Sequence, residues 1–336
     1  MQNTENKTAR TVRALSLMSG GLDSQLAVCI LRDQGIDVEG VVFQSPFFDI
    51  SPAVKAARQL GIKLHIRDFT NEIMALLEKP PHGFGSCMNP CIDCHAKMLN
   101  VAGEMLKELG FDFLSTGEVL GQRPMSQRRQ ALDIVAKGSG VRDLILRPLS
   151  AKLLPPTKME EDGLVDRERL LALEGRNRKP QMELAKKFNL KDYPSPAGGC
   201  KLTEPNYSKR LKELKEHEGL DGNLSLVNLL RLGRHLRLPG GARVVAGRNK
   251  ADNEAIRASA APKDYLLRSV DVPGPTLLVS AGASDEDIET ATGICASYAD
   301  TVGRDMITVR IQKRNVPDRE VRVRPLEREI FTPWIM

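Results

Sequence analysis

Ser19-Gly20-Gly21-Leu22-Asp23-Ser24 falls between an alternating apolar run and a stretch with apolar residues at helical spacing. A strand, a glycine turn and a helix in that order leave unpaired backbone N–H groups at the positive end of the helix, which favours a phosphate. Gly20 and Gly21 let the backbone approach such an anion, and the Ser19 and Ser24 hydroxyls can donate to its oxygens. Asp23 is negative and would serve a phosphate through a bridging Mg²⁺. An ordinary capped turn is the plain alternative for two glycines taken alone. The chain has no G-x-x-x-x-G-K-[ST] loop, which speaks against phosphoryl-transfer NTPases.

Thiols form the second candidate set. Asn89-Pro90-Cys91-Ile92-Asp93-Cys94-His95 precedes a helix expected over Ala96 to Leu109, and a C-x-x-C at a helix start favours thiolate. A zinc knuckle, a redox pair and part of an iron–sulfur site all fit that spacing. No second C-x-x-C supplies the four ligands of structural zinc. Cys200 follows Pro196-Ala197-Gly198-Gly199, whose turn would expose it as a third thiol. Three thiolates on a cubane leave one iron open to hold a sulfide. The plain alternative for Cys200 is a buried apolar residue, the reading preferred for Cys29 and Cys295. Cys87, Cys91 and Cys94 also spell the C-x3-C-x2-C of radical S-adenosylmethionine enzymes. Those enzymes carry it after the first strand, where this chain has its glycine loop, so Cys87 stays unassigned.

The elements that must position these groups alternate. Strands are expected at Arg13 to Met18, Val38 to Gln44, Lys63 to Ile66 and Phe111 to Ser115. Helices are expected at Leu22 to Leu31 and Ala53 to Leu60, besides Ala96 to Leu109. That alternation predicts an α/β fold with a parallel sheet covered on both faces, the loops after Met18, Phe43 and Leu114 converging on one crevice. With 336 residues, two compact domains are expected. The boundaries read as 1–155, then a mostly helical extension over 156–235 carrying Cys200, then a smaller α+β domain over 236–336. The last holds strands at Ala242 to Ala246, Tyr265 to Ser269, Thr276 to Ser280, Met306 to Gln312 and Glu320 to Arg324, with one clear helix, Asp285 to Tyr298.

Hydrophobic residues at 41% and charged residues at 27% describe a packed globular protein. No long apolar run predicts a membrane span, and the polar start predicts no secretory signal. Six sparse cysteines suit a reducing cytoplasm, and a net charge of +6 mildly favours an anionic partner.

The glycine loop resembles the SGGxDS signature of the PP-loop ATP pyrophosphatases, which adenylate a substrate oxygen and release pyrophosphate. Ser115-Thr116-Gly117-Glu118 through Gly121-Gln122 to Ser126-Gln127 is similar to the TGE…GQ…SQ segment of the 4-thiouridine synthases (ThiI-like), and Leu146-Arg147-Pro148-Leu149 to their RPL element. The NPCxxC and GGC stretches look like those of related tRNA thiolases. The resemblance implies an adenine nucleotide alpha hydrolase-like fold that binds ATP through Ser19, Gly20, Gly21, Asp23, Ser24, Gly117 and Gln122, with Mg²⁺ on Asp23. It further implies catalysis by Asp23, Cys91, Cys94 and Cys200, the three thiols holding a [4Fe-4S] cluster.

The expected reaction is ATP-dependent tRNA thiolation of the 4-thiouridine type. A cysteine desulfurase or free sulfide would donate the sulfur, and a homodimer is an allowed assembly. No rhodanese-like extension or amino-terminal THUMP domain is seen. Residues from Gly247 to Gly274 are instead similar to the NFACT-R domain, which implies RNA binding by Arg248, Asn249, Lys250, Lys263 and Arg268, with Tyr265 standing where that domain carries tryptophan. Two rivals stand beside this: a PP-loop amide-forming ligase for a small molecule, and a non-catalytic RNA- or ribosome-binding protein.

Overall fold

A computed structural model describes residues 10–123, 126–195 and 199–336, which divide into two compact units between Thr203 and Glu204. Pro196 to Gly198, quoted above, and Pro124 and Met125, within the segment from Gly121 to Gln127, lie outside the described residues.

The first unit alternates as expected. Its elements are β1 (Arg13–Leu17), α1 (Leu22–Asp33), β2 (Asp37–Gln44), α2 (Ser51–Leu60), β3 (Leu64–Asp68), α3 (Thr70–Glu78), α4 (Cys91–Leu109), β4 (Phe113–Thr116), α5 (Arg129–Gly138) and β5 (Ile145–Leu146). The five strands are parallel in the order β3-β2-β1-β4-β5. Ala14, Leu15 and Leu114 of the central strands are wholly buried, as a sheet flanked by helices on both faces requires. Strand order reverses between β1 and β4, and a crevice opens beyond the carboxyl ends of such a pair. Gly61 and Gly110 end α2 and α4 in the left-handed conformation.

Two expectations change here. α4 begins at Cys91 rather than Ala96, so both thiols of the C-x-x-C lie in its first turn. The stretch after Leu153, expected mostly helical, holds only α6 (Lys158–Glu161) and α7 (Lys179–Lys187) before residue 204, apart from short 3-10 turns. Pro155 and Pro156, with Gly163 and Gly175 at positive φ, interrupt any helix there. Its apolar residues are not idle, for Met159, Val165, Leu170, Ala185 and Leu190 pack with Ala14, Leu22 and Leu26 in one core. The 156–235 segment is therefore shared between the two units.

The second unit comprises α8 (Pro205–Glu218), α9 (Leu224–Leu229), β6 (Arg234–Arg237), β7 (Arg243–Ala246), α10 (Lys250–Ser259), β8 (Tyr265–Ser269), β9 (Thr276–Val279), α11 (Asp285–Ser297), β10 (Ile307–Lys313), β11 (Val316–Val323) and α12 (Arg328–Phe331). Its sheet is antiparallel, ordered β11-β10-β8-β9-β7-β6. One face buries Leu267, Leu277 and Val309 against Ile288, Ile294 and Phe331; the other buries Val245 and Leu278 against Leu229 and Ile256. α10 is an unexpected second helix among the strands. Its polar sequence hides it, and the Asn249 side chain caps it by accepting the Asp252 N–H at 2.8 Å. Among the described residues no helix is long and apolar enough to cross a membrane.

Candidate active site at the ends of the parallel strands

The loop after β1 is shaped by what surrounds it. Gly20 has φ +79°, and a Cβ there would come within 2.2 Å of the Pro52 carbonyl carbon, so no side chain fits. Gly21 caps α1 in an extended conformation without any side-chain cap. Ser19 and Ser24 face each other, their hydroxyl oxygens 3.4 Å apart, and Ser24 Oγ donates to the Gly21 carbonyl at 2.8 Å. The loop after β4 closes over them. A Cβ on Gly117 would lie 2.5 Å from the Ser24 nitrogen, so glycine alone permits this approach to the start of α1.

Asp23 sits in the first turn of α1. Gln122 donates from Nε2 to its Oδ2 at 3.0 Å, while its Oδ1 is buried without a hydrogen-bond partner. Burial pushes this carboxyl above its usual range, against the opposing pull of the Gln122 amide, the Arg178 and Arg123 charges and the nearby Gln181 side chain. A buried carboxylate oxygen with no donor suits a hard cation, so Asp23 fits the expected magnesium ion.

The chain is tied down at Asp192 and again at Cys200. Gln25 and Gln59 each donate from Nε2 to the Asp192 carbonyl, at 3.1 and 3.2 Å, and Gln59 also donates to Gln25 Oε1 at 2.7 Å. Beyond the intervening residues, Cys200 bridges Phe48, and the Lys201 N–H donates to the Phe47 carbonyl at 3.0 Å, in the loop after β2. The Cys94 thiol is buried, and burial first, then the charges of Cys200, Cys91 and Asp93, push it well up. All three thiols thus share one neighbourhood. Among the described residues, however, no three His, Cys, Asp or Glu side chains are set around a common metal position.

A buried ion pair joins the loops after β4 and β5 and reaches the thiol helix through His95. Glu118, next to Gly117, accepts from Arg147 Nε at 2.8 Å and lies 3.5 Å from His95 Nδ1. Burial pushes the Glu118 carboxyl up, but the Arg147 charge and the His95 side chain outweigh it and bring it down to about 2.

In the second unit, two of the five expected RNA-binding residues do structural work. Arg248 donates from Nε to Asp252 Oδ2 at 2.7 Å, and Asn249 caps α10. Lys250, Lys263 and Arg268 are exposed.

Residues 10–152 match the model of the thiamine biosynthesis protein (ThiI) family, and residues 233–335 match that of the NFACT protein RNA binding domain. The first match lies within the first compact unit and the second within the second. The ThiI-type match takes in Ser19 to Ser24, Cys91, Cys94, Gly117 and Gln122 but stops short of Cys200. A tRNA-specific 2-thiouridylase MnmA from Marinobacter nauticus is 30% identical over 140 residues, 37% of this chain and 36% of the relative. A probable tRNA sulfurtransferase from Thermoanaerobacter sp. is 33% identical over 146 residues, 41% of this chain and 36% of the relative. The chain therefore spans about a third of the length of these two curated relatives. A solved 4-thiouridine synthetase–RNA complex with bound ATP overlaps 65% of this chain and 52% of its own, at 19% identity and a TM-score of 0.35.

Sequence reasoning passed over several residues that shape this site. Glu118, Arg147 and Asp93 stood inside quoted motifs without a role, and Gln25 and Gln59 carried no signal at all. Their partners lie far off in sequence or across a loop, where spacing cannot point to them.

Proposed function

We propose that the chain thiolates RNA: it adenylates a uridine carbonyl with ATP, and a cysteine-borne sulfur then displaces AMP. The observation that carries this is an unpartnered carboxylate oxygen on Asp23 in the first turn of α1, and it is supported by Cys91 and Cys200 lying close enough to Cys94 for their charges to act on it. Ser19, Gly20, Gly21, Ser24, Gly117 and Gln122 would orient the triphosphate, and bound Mg²⁺ would offset charge on the leaving pyrophosphate. The thiols favour sulfur transfer over amide formation, which needs none. The intact loop favours catalysis over a purely RNA-binding role. A 4-thiouridine product is the finer reading.

For the RNA, the NFACT-R-type domain offers Lys250, Lys263 and Arg268 to phosphates, with Arg248 and Asn249 holding α10 in place. A [4Fe-4S] cluster on Cys91, Cys94 and Cys200 is not matched by side chains set around one metal position, so no step is routed through it. Iron analysis of anaerobically prepared protein decides it. The function is tested by incubating the chain with ATP, Mg²⁺, a sulfur donor and unmodified tRNA, and measuring pyrophosphate and digested nucleosides. Thiolated uridine with stoichiometric pyrophosphate is expected; pyrophosphate without sulfur in any nucleoside would overturn the reading.

A further inference from the structure

We propose that the uncovered part of the second unit's sheet, over β8, β10 and β11, is the surface on which an RNA strand lies, with Arg268, Arg310 and Arg322 set to meet its phosphates. The choice of RNA as the polyanion rests on the function proposed above. The placing of the arginines is independent of it.

Alternation along the strands gives this sheet two faces. On one, Leu267, Ile307, Val309 and Val321 are packed under Ile288, Ile294 and Phe331. The other is covered only in part. Leu229 of α9 and Ile256 of α10 cover Val245 and Leu278, and that cluster reaches β8 no further than Leu266. Two residues on from Leu266, and so on the same face, stands Arg268, which is exposed and directly opposite Arg310 of β10. Arg322 of β11 follows on the far side, opposite Thr308 and diagonal to Arg310.

Like charges set directly opposite each other on two strands are destabilising by themselves. Only Arg310 is neutralised from within. It donates from Nε and Nη2 to Glu320 Oε1 at 2.9 and 2.6 Å, and the other acid on this face, Asp318, accepts from Gln312 Nε2 at 2.7 Å. Among the described residues, Arg268 and Arg322 form no ion pair. Three guanidinium groups thus run in a line across three adjacent strands, two of them without a partner, which suits a chain of phosphates better than one small anion. No aromatic side chain shares this face among the described residues. Tyr265 lies on the packed side, with Lys313 Nζ 4.2 Å from its ring centre, so bases have nothing here to stack on. Contacts of this kind hold the backbone and carry little sequence preference.

The test titrates the full chain with a fluorescent unmodified tRNA transcript over a range of salt, without ATP or a sulfur donor. Arg268→Ala and Arg322→Ala should each weaken binding about fivefold near ~0.1 M salt and lower the log–log salt slope by ~0.7 to 0.9, and the double variant by ~1.4 to 1.8. Glu320→Gln frees Arg310 and should tighten binding several-fold, a gain that Arg310→Ala in the same background removes. Lys209→Ala takes an equal charge from an exposed position on α8 and should change neither quantity. Arg268→Ala relieves the opposed pair and should not lower the thermal midpoint, so weaker binding in that variant is not a loss of fold. A wild-type slope in the double variant overturns the proposal, as does an equal loss in Lys209→Ala. Bound tRNA displaced by polyglutamate as readily as by polyuridylate, at equal charge concentration, also overturns it and points to an acidic polypeptide. Because binding is read without turnover, a chain that holds tRNA on this face but thiolates none refutes the function and not the surface.

Discussion

β1 runs through Gly20 and Gly21 into α1, and β7 runs through Gly247 into α10; each helix carries an aspartate in its first turn, Asp23 and Asp252. In both junctions a glycine is required by crowding, against Pro52 in the first and against Asn253 in the second. The polar groups are then treated in opposite ways. Asp252 Oδ2 accepts from the Gly233 N–H at 3.3 Å and from Arg248 N and Nε at 3.2 and 2.7 Å, and the Arg248 hydrogen bond holds its carboxyl below the usual range. Asp23 keeps an oxygen without a donor, and its carboxyl is pushed up. A helix start that satisfies its own carboxylate is a structural joint, whereas one that leaves it open waits for something to complete it.

The largest effect should come from the open junction. Asp23→Ala is expected to abolish pyrophosphate release while leaving the thermal midpoint unchanged or slightly higher, since a buried unpartnered oxygen is removed; activity assays beside calorimetry check both halves. Gly117→Ala should follow closely, because its Cβ would press on the Ser24 backbone. Equilibrium binding of ATP should weaken by at least tenfold, a loss of ~1.4 kcal/mol or more. At the closed junction the expectation inverts. Asp252→Ala should cost the second unit ~2 kcal/mol in denaturant unfolding, by stranding Arg248 and the Gly233 N–H, without touching ATP binding. An Asp252 variant of unchanged stability would break the comparison.

Acidification should separate the two units next. Burial first, then the Arg210 charge, bring His235 from an ordinary 6.5 down to about 3. The unfolded chain therefore takes up a proton below pH 6.5 that the folded unit refuses, and stability is whole above 6.5 and lost as pH falls toward 3. Glu118 has its folded value lowered from 4.5 to about 2, so its contribution is whole above pH 4.5 and fades below it. Hydrogen exchange between pH 7 and 5 should show the second unit loosening first, and His235→Leu should remove that decline. The smallest effect is expected from Lys250→Ala, which should lower the slope of log RNA affinity against log salt by ~0.7 to 0.9.

Much of the first unit was legible because its signals are local. Alternating strands and helices gave the parallel sheet, and Ser19 to Ser24 gave the loop, since glycines beside a helix start need no distant partner to be read. The pairing of Glu118 with Arg147 joins residues 29 apart, and each polar group alone could have faced water. Residues 154–195 were misread because their leucines enter the core from loops, where no period marks them. In the second unit the basic motif around Arg248 was visible, but its work was not. An arginine that ties down a helix and one that meets a phosphate look alike until the neighbouring carboxylate is seen.

The glutamine bridge from Gln25 and Gln59 to Asp192 bears on how the chain comes to life. It joins groups 167 and 133 residues apart, so during synthesis β1, its loop and α1 emerge long before the segment that braces them. Contacts of such span form late, after more local ones have paid their entropy. The glycine loop can thus be built early, while Cys200 takes its place only when the last fifth of the first unit has left the ribosome. A nascent chain stopped before Asp192 would carry the glycine loop without Cys200, and chemistry would wait on completion of the domain.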